Sequence, residues 1–267
     1  MKVQRPGITL LFVLFLCSCQ KVPITGRNQV HVIPESEMVS LALTQYQETL
    51  KQSKVITGTP EANMVNVVGQ KISAAAVTLM KQLNQADRLQ GYAWEYHLLE
   101  NNVPNAWCLP GGKIAVYSGI LPITKTEAGL AVVMGHEVGH AIAQHGNERM
   151  SEQMAAQLGG LGLSVALSSK PAETQNIFET AYGYGATYGA LLPFSRTQES
   201  EADKIGLVLM AIAGYDPNEA IALWERMKQA TSSAGTIPEF MSTHPSDQHR
   251  IEDIKAYMPQ AMKYYKK

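Results

Sequence analysis

The fold of this chain is decided by residues 128–143, whose sequence is AGLAVVMGHEVGHAIA. Apolar residues dominate this stretch, which predicts a helix buried in the core. Because a helix turns once every 3.6 residues, His136 and His140 lie on one face, where both imidazoles can reach a single metal ion. Glu137 lies beside that ion. A carboxylate there can take a proton from a metal-activated water and pass it to the leaving group.

The H-E-x-x-H spacing of His136, Glu137 and His140 is the pattern with which zinc peptidases bind their metal. The alternative is a surface helix that carries two solvated histidines. The apolar residues before His136 argue against it, since buried imidazoles need a polar partner and a metal ion is one. Gly135 and Gly139 lower helix propensity and mark close packing or access. The motif therefore predicts one catalytic zinc ion.

A catalytic zinc needs a third protein ligand, which this motif does not supply. One extended form of the motif requires glycine and histidine where this chain has Ala143 and Gly146. His145 is no substitute, because nine residues at 100 degrees each place it on the side of the same helix opposite His136. We expect His145 to be structural or solvated.

Residues 195–203, with the sequence SRTQESEAD, open a second predicted helix. Glu199 and Asp203 are four residues apart, so one helical face carries a carboxylate that can ligate zinc and another that can support a zinc-bound histidine. Glu201 points about 200 degrees away from Glu199 and is the weaker candidate. The alternative is an acidic helix start favoured by the helix dipole.

Together, H-E-x-x-H and S-R-x-x-E-x-x-A-D resemble the zinc metallopeptidase family that contains HtpX, the CAAX prenyl proteases and the periplasmic lipoprotein proteases of the BepA and LoiP type. Residues 105–119 resemble the loop and edge strand before its zinc helix, and residues 243–246 with Arg250 resemble its "HP...R" element. The resemblance implies that His136, His140 and Glu199 bind zinc, that Glu137 is the general base, and that Asp203 supports a ligand from behind.

The resemblance also implies that an edge strand borders the active-site cleft. Alternation of polar and apolar residues after a Pro-Gly-Gly turn predicts this strand at Lys113, Ile114, Ala115, Val116 and Tyr117. An edge strand can pair with an extended substrate backbone. An ordinary hairpin strand that binds nothing is the alternative.

His244 and Arg250 are further candidates for the catalytic site. Both are donors that could stabilise the oxyanion of a tetrahedral intermediate. The resemblance adds that a histidine in this region can cap the zinc in a resting state. Equally, His244 could be a helix-entry residue and Arg250 a solvated base.

The first residues resemble a bacterial export signal, because Lys2 and Arg5 precede an apolar run too short to span a bilayer. The run ends in Leu-Cys-Ser-Cys, which resembles a lipobox with Cys19 as the lipid-modified residue. We expect a signal peptide over residues 1–18, a lipid-anchored linker over 19–34 and a metallopeptidase domain over 35–267. The residue after the modified cysteine is Gln20, which resembles the signal of lipoproteins that are retained at the periplasmic face of the outer membrane. Cys108 is then left without a disulfide partner.

The expected fold is α+β: a mainly helical, zincin-like metallopeptidase domain with a small sheet. Helical patterns cover residues 35–53, 61–84, 217–230 and 249–258, and strand patterns cover 91–99 and 113–117. Two stretches rich in alanine and glycine, 151–167 and 174–192, predict a buried hairpin that could cover the cleft or face the membrane. The formal net charge of −1 gives no sign of a nucleic-acid partner.

These observations predict a zinc endopeptidase of the bacterial cell envelope. Its substrates and partners would be unfolded or misassembled envelope polypeptides, and lipidated Cys19 would attach it to the membrane. The alternative is a zinc-binding chaperone or assembly factor whose proteolysis is latent or gated. Intact Glu137 counts against a pure chaperone, which has no need of a general base.

Overall fold

The computed structural model describes residues 18–167, 192–234, 240, 244 and 248–266. Its helices are α1 (Glu35–Gln52), α2 (Pro60–Gln82), α3 (Leu121–Thr124), α4 (Glu127–Ala143), α5 (His145–Leu167), α6 (Leu192–Ile212), α7 (Glu219–Ala234) and α8 (Gln248–Ala261). Its strands are β1 (Ser18–Lys21), β2 (Asn28–His31), β3 (Val55–Ile56), β4 (Glu95–Leu99), β5 (Ala106–Leu109) and β6 (Lys113–Tyr117). This arrangement confirms the predicted mainly helical α+β fold.

Helix α4 carries the H-E-x-x-H motif through the centre of the core. It begins where the hydroxyl of Thr126 accepts a hydrogen bond of 3.0 Å from the backbone N–H of Gly129, as an N-cap residue does. It ends at Gln144, whose φ of 60° and ψ of 34° are left-handed. The chain therefore leaves the helix axis before His145 and starts α5 in a new direction. Helices α2, α6 and α7 and strand β5 surround α4.

Helices α4 and α6 cross at unusually close range because small residues face each other. A Cβ atom at Gly139 would lie 2.8 Å from the carbonyl oxygen of Ala202, and one at Gly206 would lie 3.0 Å from the carbonyl carbon of Gly135. Both distances fall below ordinary van der Waals contact. The crossing places the residues after Glu199 directly beside the histidines of α4, so backbone contact between two helices sets the width of the site.

The four-stranded sheet has the order β3-β4-β6-β5. Strand β6 pairs with β4 in parallel on one side and with β5 in antiparallel on the other. The prediction that residues 113–117 form the edge strand is therefore wrong. The turn at Gly111 and Gly112, where φ is 85° and 80°, folds β5 back along β6, so β5 is one of the two edges of the described sheet and β3 is the other. Strand β5 contacts α4, so the edge that borders the H-E-x-x-H helix is Ala106–Leu109.

The predicted linker is an ordered hairpin. Strands β1 and β2 pair in antiparallel, with Cys19 opposite Val30. The turn between them closes through a 2.8 Å hydrogen bond from the N–H of Val22 to the carbonyl of Arg27. Only 1% of Val22 is exposed. Since its side chain enters the core, the hairpin belongs to the folded domain.

Most predicted helices lie close to the observed ones. Residues 35–53 and 61–84 match α1 and α2, residues 217–230 lie largely in α7, and residues 249–258 lie in α8. The stretch 151–167 is the later part of α5, whereas the predicted signal (1–18, of which only residue 18 is described) and almost all of 174–192 lie outside the described residues. Within the described part of the chain, no helix is both long enough and apolar enough to cross a membrane.

Candidate metal centre

Two helices and one loop residue bring four possible ligands together. Each of His136, His140, Glu199 and His244 offers one ligating atom, and these atoms lie within 4.8 Å of one another. The Glu199 carboxylate oxygens lie 3.3 Å from Nε2 of His136 and 3.2 Å from Nε2 of His140. The three ligands predicted from the sequence thus converge, and His244 joins them as a fourth.

The geometry of these residues fits a zinc ion. Nε2 of His136 and Nε2 of His140 lie only 3.0 Å apart and point to the same space, which suits two imidazoles that share a metal. Zinc in catalytic sites takes two histidines and a carboxylate as protein ligands. A second indication is Oε1 of Glu137, a buried oxygen that accepts no hydrogen bond from the described residues. The donor set and this unsatisfied oxygen both fit a catalytic metal ion with its water.

Glu137 faces the same space from the next position on α4. Burial raises the pKa of its carboxyl group above the ordinary value, although the nearby histidines oppose this shift. Its Oε1 lies 3.4 Å from Nε2 of His244. A buried carboxylate with a raised pKa beside a metal centre is suited to accept a proton and to return it.

Glu199 stays ionised despite its burial. Desolvation alone would raise its pKa, but hydrogen bonds from His136, His140 and His244 outweigh this effect and hold the pKa far below the usual range. For His136, burial lowers the pKa, whereas hydrogen bonds to Asp203 and Glu199 raise it, with a net value of about 9. In this cluster the carboxylates supply the negative charge that a divalent cation needs.

Asp203 lies one turn after Glu199 and supports His136 from behind. Its Oδ1 is 2.9 Å from Nδ1 of His136, so the other ring nitrogen is directed to the metal space. Arg250 donates to both Asp203 oxygens, at 2.7 Å and 2.8 Å, and lies 3.2 Å from Glu199. The geometry therefore favours a role for Arg250 in positioning the carboxylates over the predicted role as an oxyanion donor.

Two aromatic residues that the sequence did not indicate complete this side of the site. The guanidinium of Arg250 lies 3.6 Å from the centre of the Trp224 ring, which is a cation–π contact. Phe240 is fully buried, with ring centres 4.7 Å from His244 and 6.2 Å from His136. Both rings exclude water behind the ligands. Their apolar character carries no signal that could separate them from ordinary core residues in the sequence.

His244 contacts both the ligand and the proposed base. Its Nδ1 lies 3.0 Å from Oε1 of Glu199, and its Nε2 points to Glu137 as noted above. Its backbone N–H donates to the carbonyl of Phe240 at 2.9 Å. The structure thus places His244 inside the site rather than at a solvated helix entry. Its neighbours in the "HP...R" element, residues 243, 245 and 246, lie outside the described part.

The expectation that His145 lies opposite the metal is wrong. The left-handed residue Gln144 turns the chain back, so Nδ1 of His145 lies 2.9 Å from Nδ1 of His140. The other ring nitrogen lies 3.2 Å from Oε2 of Glu201. Glu201, the weaker ligand candidate of the sequence, therefore does not face the possible metal site. The side chains of His145 and His140 lie between them. The left-handed residue at this helix break is a glutamine, so the position itself lacks the glycine that usually signals such a break.

The edge strand β5 brings Cys108 close to the site. Burial raises the pKa of its thiol well above the ordinary value, and the charge of Glu137 adds to the shift. The thiol is therefore neutral. It is not among the candidate metal ligands.

These features agree with a comparison against known protein families. The model of Peptidase family M48 matches residues 68–258. The chain belongs to this family. The match includes the H-E-x-x-H helix, Glu199 and Asp203, and it ends after Arg250. At the level of the family, the predicted zinc metallopeptidase is confirmed.

Curated relatives point to the same class of enzyme. The mitochondrial metalloendopeptidase OMA1 of Schizosaccharomyces pombe is 39% identical over 189 residues, which are 68% of this chain and 52% of the relative. The protein of that name from Saccharomyces cerevisiae is 30% identical over 277 residues, or 99% of this chain and 77% of the relative. The beta-barrel assembly-enhancing protease of Escherichia coli is 27% identical over 167 residues, or 61% and 34%. The chain spans about half the length of the S. pombe relative.

These relatives contradict the predicted location. The matches at 30% identity or more that cover over two thirds of the chain are mitochondrial proteins by description, so the prediction of a bacterial outer-membrane lipoprotein is wrong. The bacterial protease that resembles the BepA type is a more distant match. Lipidation of Cys19 finds no support among these relatives. A short apolar run after basic residues does not by itself distinguish one targeting system from another.

Proposed function

We propose that the chain is a zinc-dependent endopeptidase with a single catalytic ion. The observation that carries the proposal is the convergence of His136, His140 and Glu199 around one space with the buried carboxylate of Glu137 at its side. A structural zinc would be held by four protein ligands, usually including cysteine. Here Cys108 is the free cysteine of the described residues, and it is not among the candidate ligands.

The residues have separable roles in this reaction. Zinc bound by the three ligands would polarise a peptide carbonyl and lower the pKa of a water molecule. Glu137 accepts the proton of the attacking water and returns it to the leaving amine. Asp203 and Arg250 hold His136 and Glu199 in place. His244, at 3.4 Å from Glu137, is placed to donate a hydrogen bond to the developing oxyanion or to occupy the site when no substrate is bound.

The substrates that fit are extended segments of unfolded or misassembled proteins. Strand β5 has one side free of pairing among the described strands and lies against the metal-binding helix. A substrate backbone added to this edge is recognised by main-chain hydrogen bonds, which demand no particular sequence. The name of the E. coli relative, an assembly-enhancing protease, supports a role in protein quality control.

A chaperone that binds zinc and rarely cuts is the second candidate. The observation in its favour is His244, which already fills the ligand cluster as a fourth donor. A histidine in that position competes with substrate and water. The two candidates make different predictions for cleavage of unfolded proteins.

The test is cleavage of casein by the full chain with added zinc and with a chelator, for the unchanged protein and for Glu137→Gln. We expect activity that requires zinc and is lost by a factor of at least 10² in Glu137→Gln, because the general base is absent. Glu127→Gln is the matched control, since it makes the same change at the start of the same helix, beside Tyr215. If Glu137→Gln cleaves casein as fast as the active control Glu127→Gln, the peptidase mechanism with Glu137 as general base is excluded. Zinc binding without cleavage would favour the chaperone.

A further inference from the structure

The second metal-binding histidine is held by another histidine rather than by a carboxylate. His145 is 2% exposed, and its two ring nitrogens contact His140 and Glu201. We propose that His145 and Glu201 are positioning residues that fix the tautomer and orientation of His140. This inference rests on the proposed function, because it concerns the presentation of His140 to zinc.

The protons in this chain of contacts can be assigned from chemistry alone. A neutral imidazole has one donor and one acceptor nitrogen. If Nε2 of His140 is to bind a metal, its Nδ1 carries the proton and donates to Nδ1 of His145. Nδ1 of His145 must then be the acceptor, so its Nε2 carries the proton and donates to Glu201. A carboxylate can only accept at this position, and it therefore enforces one tautomer at both rings.

Glu201 is itself fixed by the N-terminal hairpin. Its Oε1 accepts hydrogen bonds from the hydroxyl of Thr25 at 2.8 Å and from Nε of Arg27 at 2.9 Å. Its Oε2 accepts from Nη2 of Arg27 at 2.9 Å. These contacts fix the orientation of the carboxylate. Arg27 also binds Glu148, at 2.6 Å and 2.8 Å, which holds the guanidinium from a second side.

Two further contacts attach the hairpin to the last turn of α4. The side-chain amide of Gln29 donates to the carbonyl of Ala143 at 2.8 Å. Arg88 donates to the carbonyl of Lys21 at 2.5 Å and to that of Ile142 at 3.2 Å. The hairpin is therefore held against the helix end independently of Glu201. It supplies a fixed frame from which Thr25 and Arg27 orient the carboxylate.

The experiment measures zinc affinity by competition with a chromogenic chelator, in the full chain carrying Glu137→Gln so that self-digestion cannot interfere. His145→Leu removes the acceptor for His140 and should weaken zinc binding about 10- to 100-fold, the range found for residues that orient metal ligands. His145→Asn places an amide oxygen near the position of Nδ1 and should recover most of the affinity. His97→Leu is the matched control, because His97 is bonded to Tyr46 instead.

A second measurement separates positioning from stability. The rise in unfolding temperature caused by zinc should be smaller in His145→Leu and in Glu201→Gln. His97→Leu should change the unfolding temperature of the metal-free protein but leave the rise caused by zinc as it is. Glu201→Gln keeps the volume of the side chain and serves if His145→Leu does not fold. Unchanged zinc affinity in both variants, or equal losses for leucine and asparagine, would overturn the inference. If the parent itself binds no zinc, the proposed function fails together with it.

Discussion

The two candidate metal ligands of α4, His136 and His140, are supported in different ways. His136 rests directly on Asp203, a carboxylate one turn after Glu199 on the same helix. His140 rests on His145, which reaches a carboxylate only at Glu201. The direct support, Asp203, needs only the helix pair α4 and α6. The longer support, His145 with Glu201, also needs the hairpin that carries Arg27. One histidine is therefore oriented by a single side chain and the other by two side chains in series, although both point to the same possible metal site.

The supports also differ in how deeply they are buried. Arg250, which neutralises Asp203, is 6% exposed and stacks on Trp224. Arg27, which neutralises Glu201, has a side chain that is 22% exposed. Water can screen the second pair but hardly the first. We expect the direct support to be the stiffer one and the more costly to break.

The largest effect is expected for Asp203→Ala. This change leaves Arg250 without its main partner in a buried setting, and breaking a buried ion pair costs about 3–5 kcal/mol. It also removes the hydrogen bond that orients His136. Urea unfolding of the metal-free protein should show the loss, and zinc titration should show weaker binding. Asp253→Ala, an exposed aspartate on α8, should change neither; similar losses in both variants would contradict the difference drawn between the supports.

Acid should weaken the longer support more than the direct one, because His31 lies in β2 of the hairpin on which the longer support depends. Burial and the charges of Arg88 and His145 lower the pKa of His31 to about 4, against an opposing effect of Glu148. Between pH 6.5 and 4 the unfolded chain binds a proton here that the folded chain does not, so stability falls as the pH falls. From the ordinary value of 6.5 and the shifted value of about 4, this group removes about 3 kcal/mol by pH 4.

Urea unfolding of the metal-free protein at pH 7 and pH 4 measures this contribution when the same pair is recorded for His31→Gln. The variant should lose less stability than the unchanged protein over that interval. The groups in the metal centre titrate in both proteins, so they cancel in the comparison. An identical loss in both proteins would show that His31 accepts its proton in the folded hairpin.

A smaller effect should reach both supports together, through the crossing of α4 and α6. Gly139→Ala places a Cβ atom 2.8 Å from the carbonyl of Ala202, and such overpacking costs about 1–3 kcal/mol. The helices must separate, which moves Glu199 away from both histidines. Zinc affinity should fall along with stability. Gly146→Ala meets nothing within 4 Å and should be neutral or slightly stabilising, because alanine favours a helix more than glycine does. If Gly146→Ala loses as much stability and zinc affinity as Gly139→Ala, the close crossing is not the cause.

Much of the direct support could be predicted from the sequence because it follows helical periodicity. The spacing of His136 and His140 and of Glu199 and Asp203 fixes which side chains share a face. Both pairs meet in the structure as expected. The capped ends of the helices were also close to the prediction, since caps and apolar stripes are local signals. The family resemblance, rather than any spacing, identified which acidic helix faces the motif.

The longer support could not be predicted, because every link in it depends on contacts between distant segments. Arg27 and Glu201 are separated by 174 positions, and neither stands in a pattern that indicates the other. The same holds for the sheet: alternation predicts strand Lys113–Tyr117 but not which strands flank it.

The sequence by itself determined the candidate metal ligands, the candidate general base and the helices that carry them. Short spacings along a regular backbone place these side chains on common faces, and the family resemblance pairs the two helices. The tertiary structure alone decided that Ala106–Leu109 is an edge strand, that the N-terminal segment is a hairpin within the domain, and that His145 turns toward His140. The left-handed residue Gln144 illustrates the reason. Its conformation is stabilised by the packing of segments far apart in the chain, and local propensity holds no record of that packing.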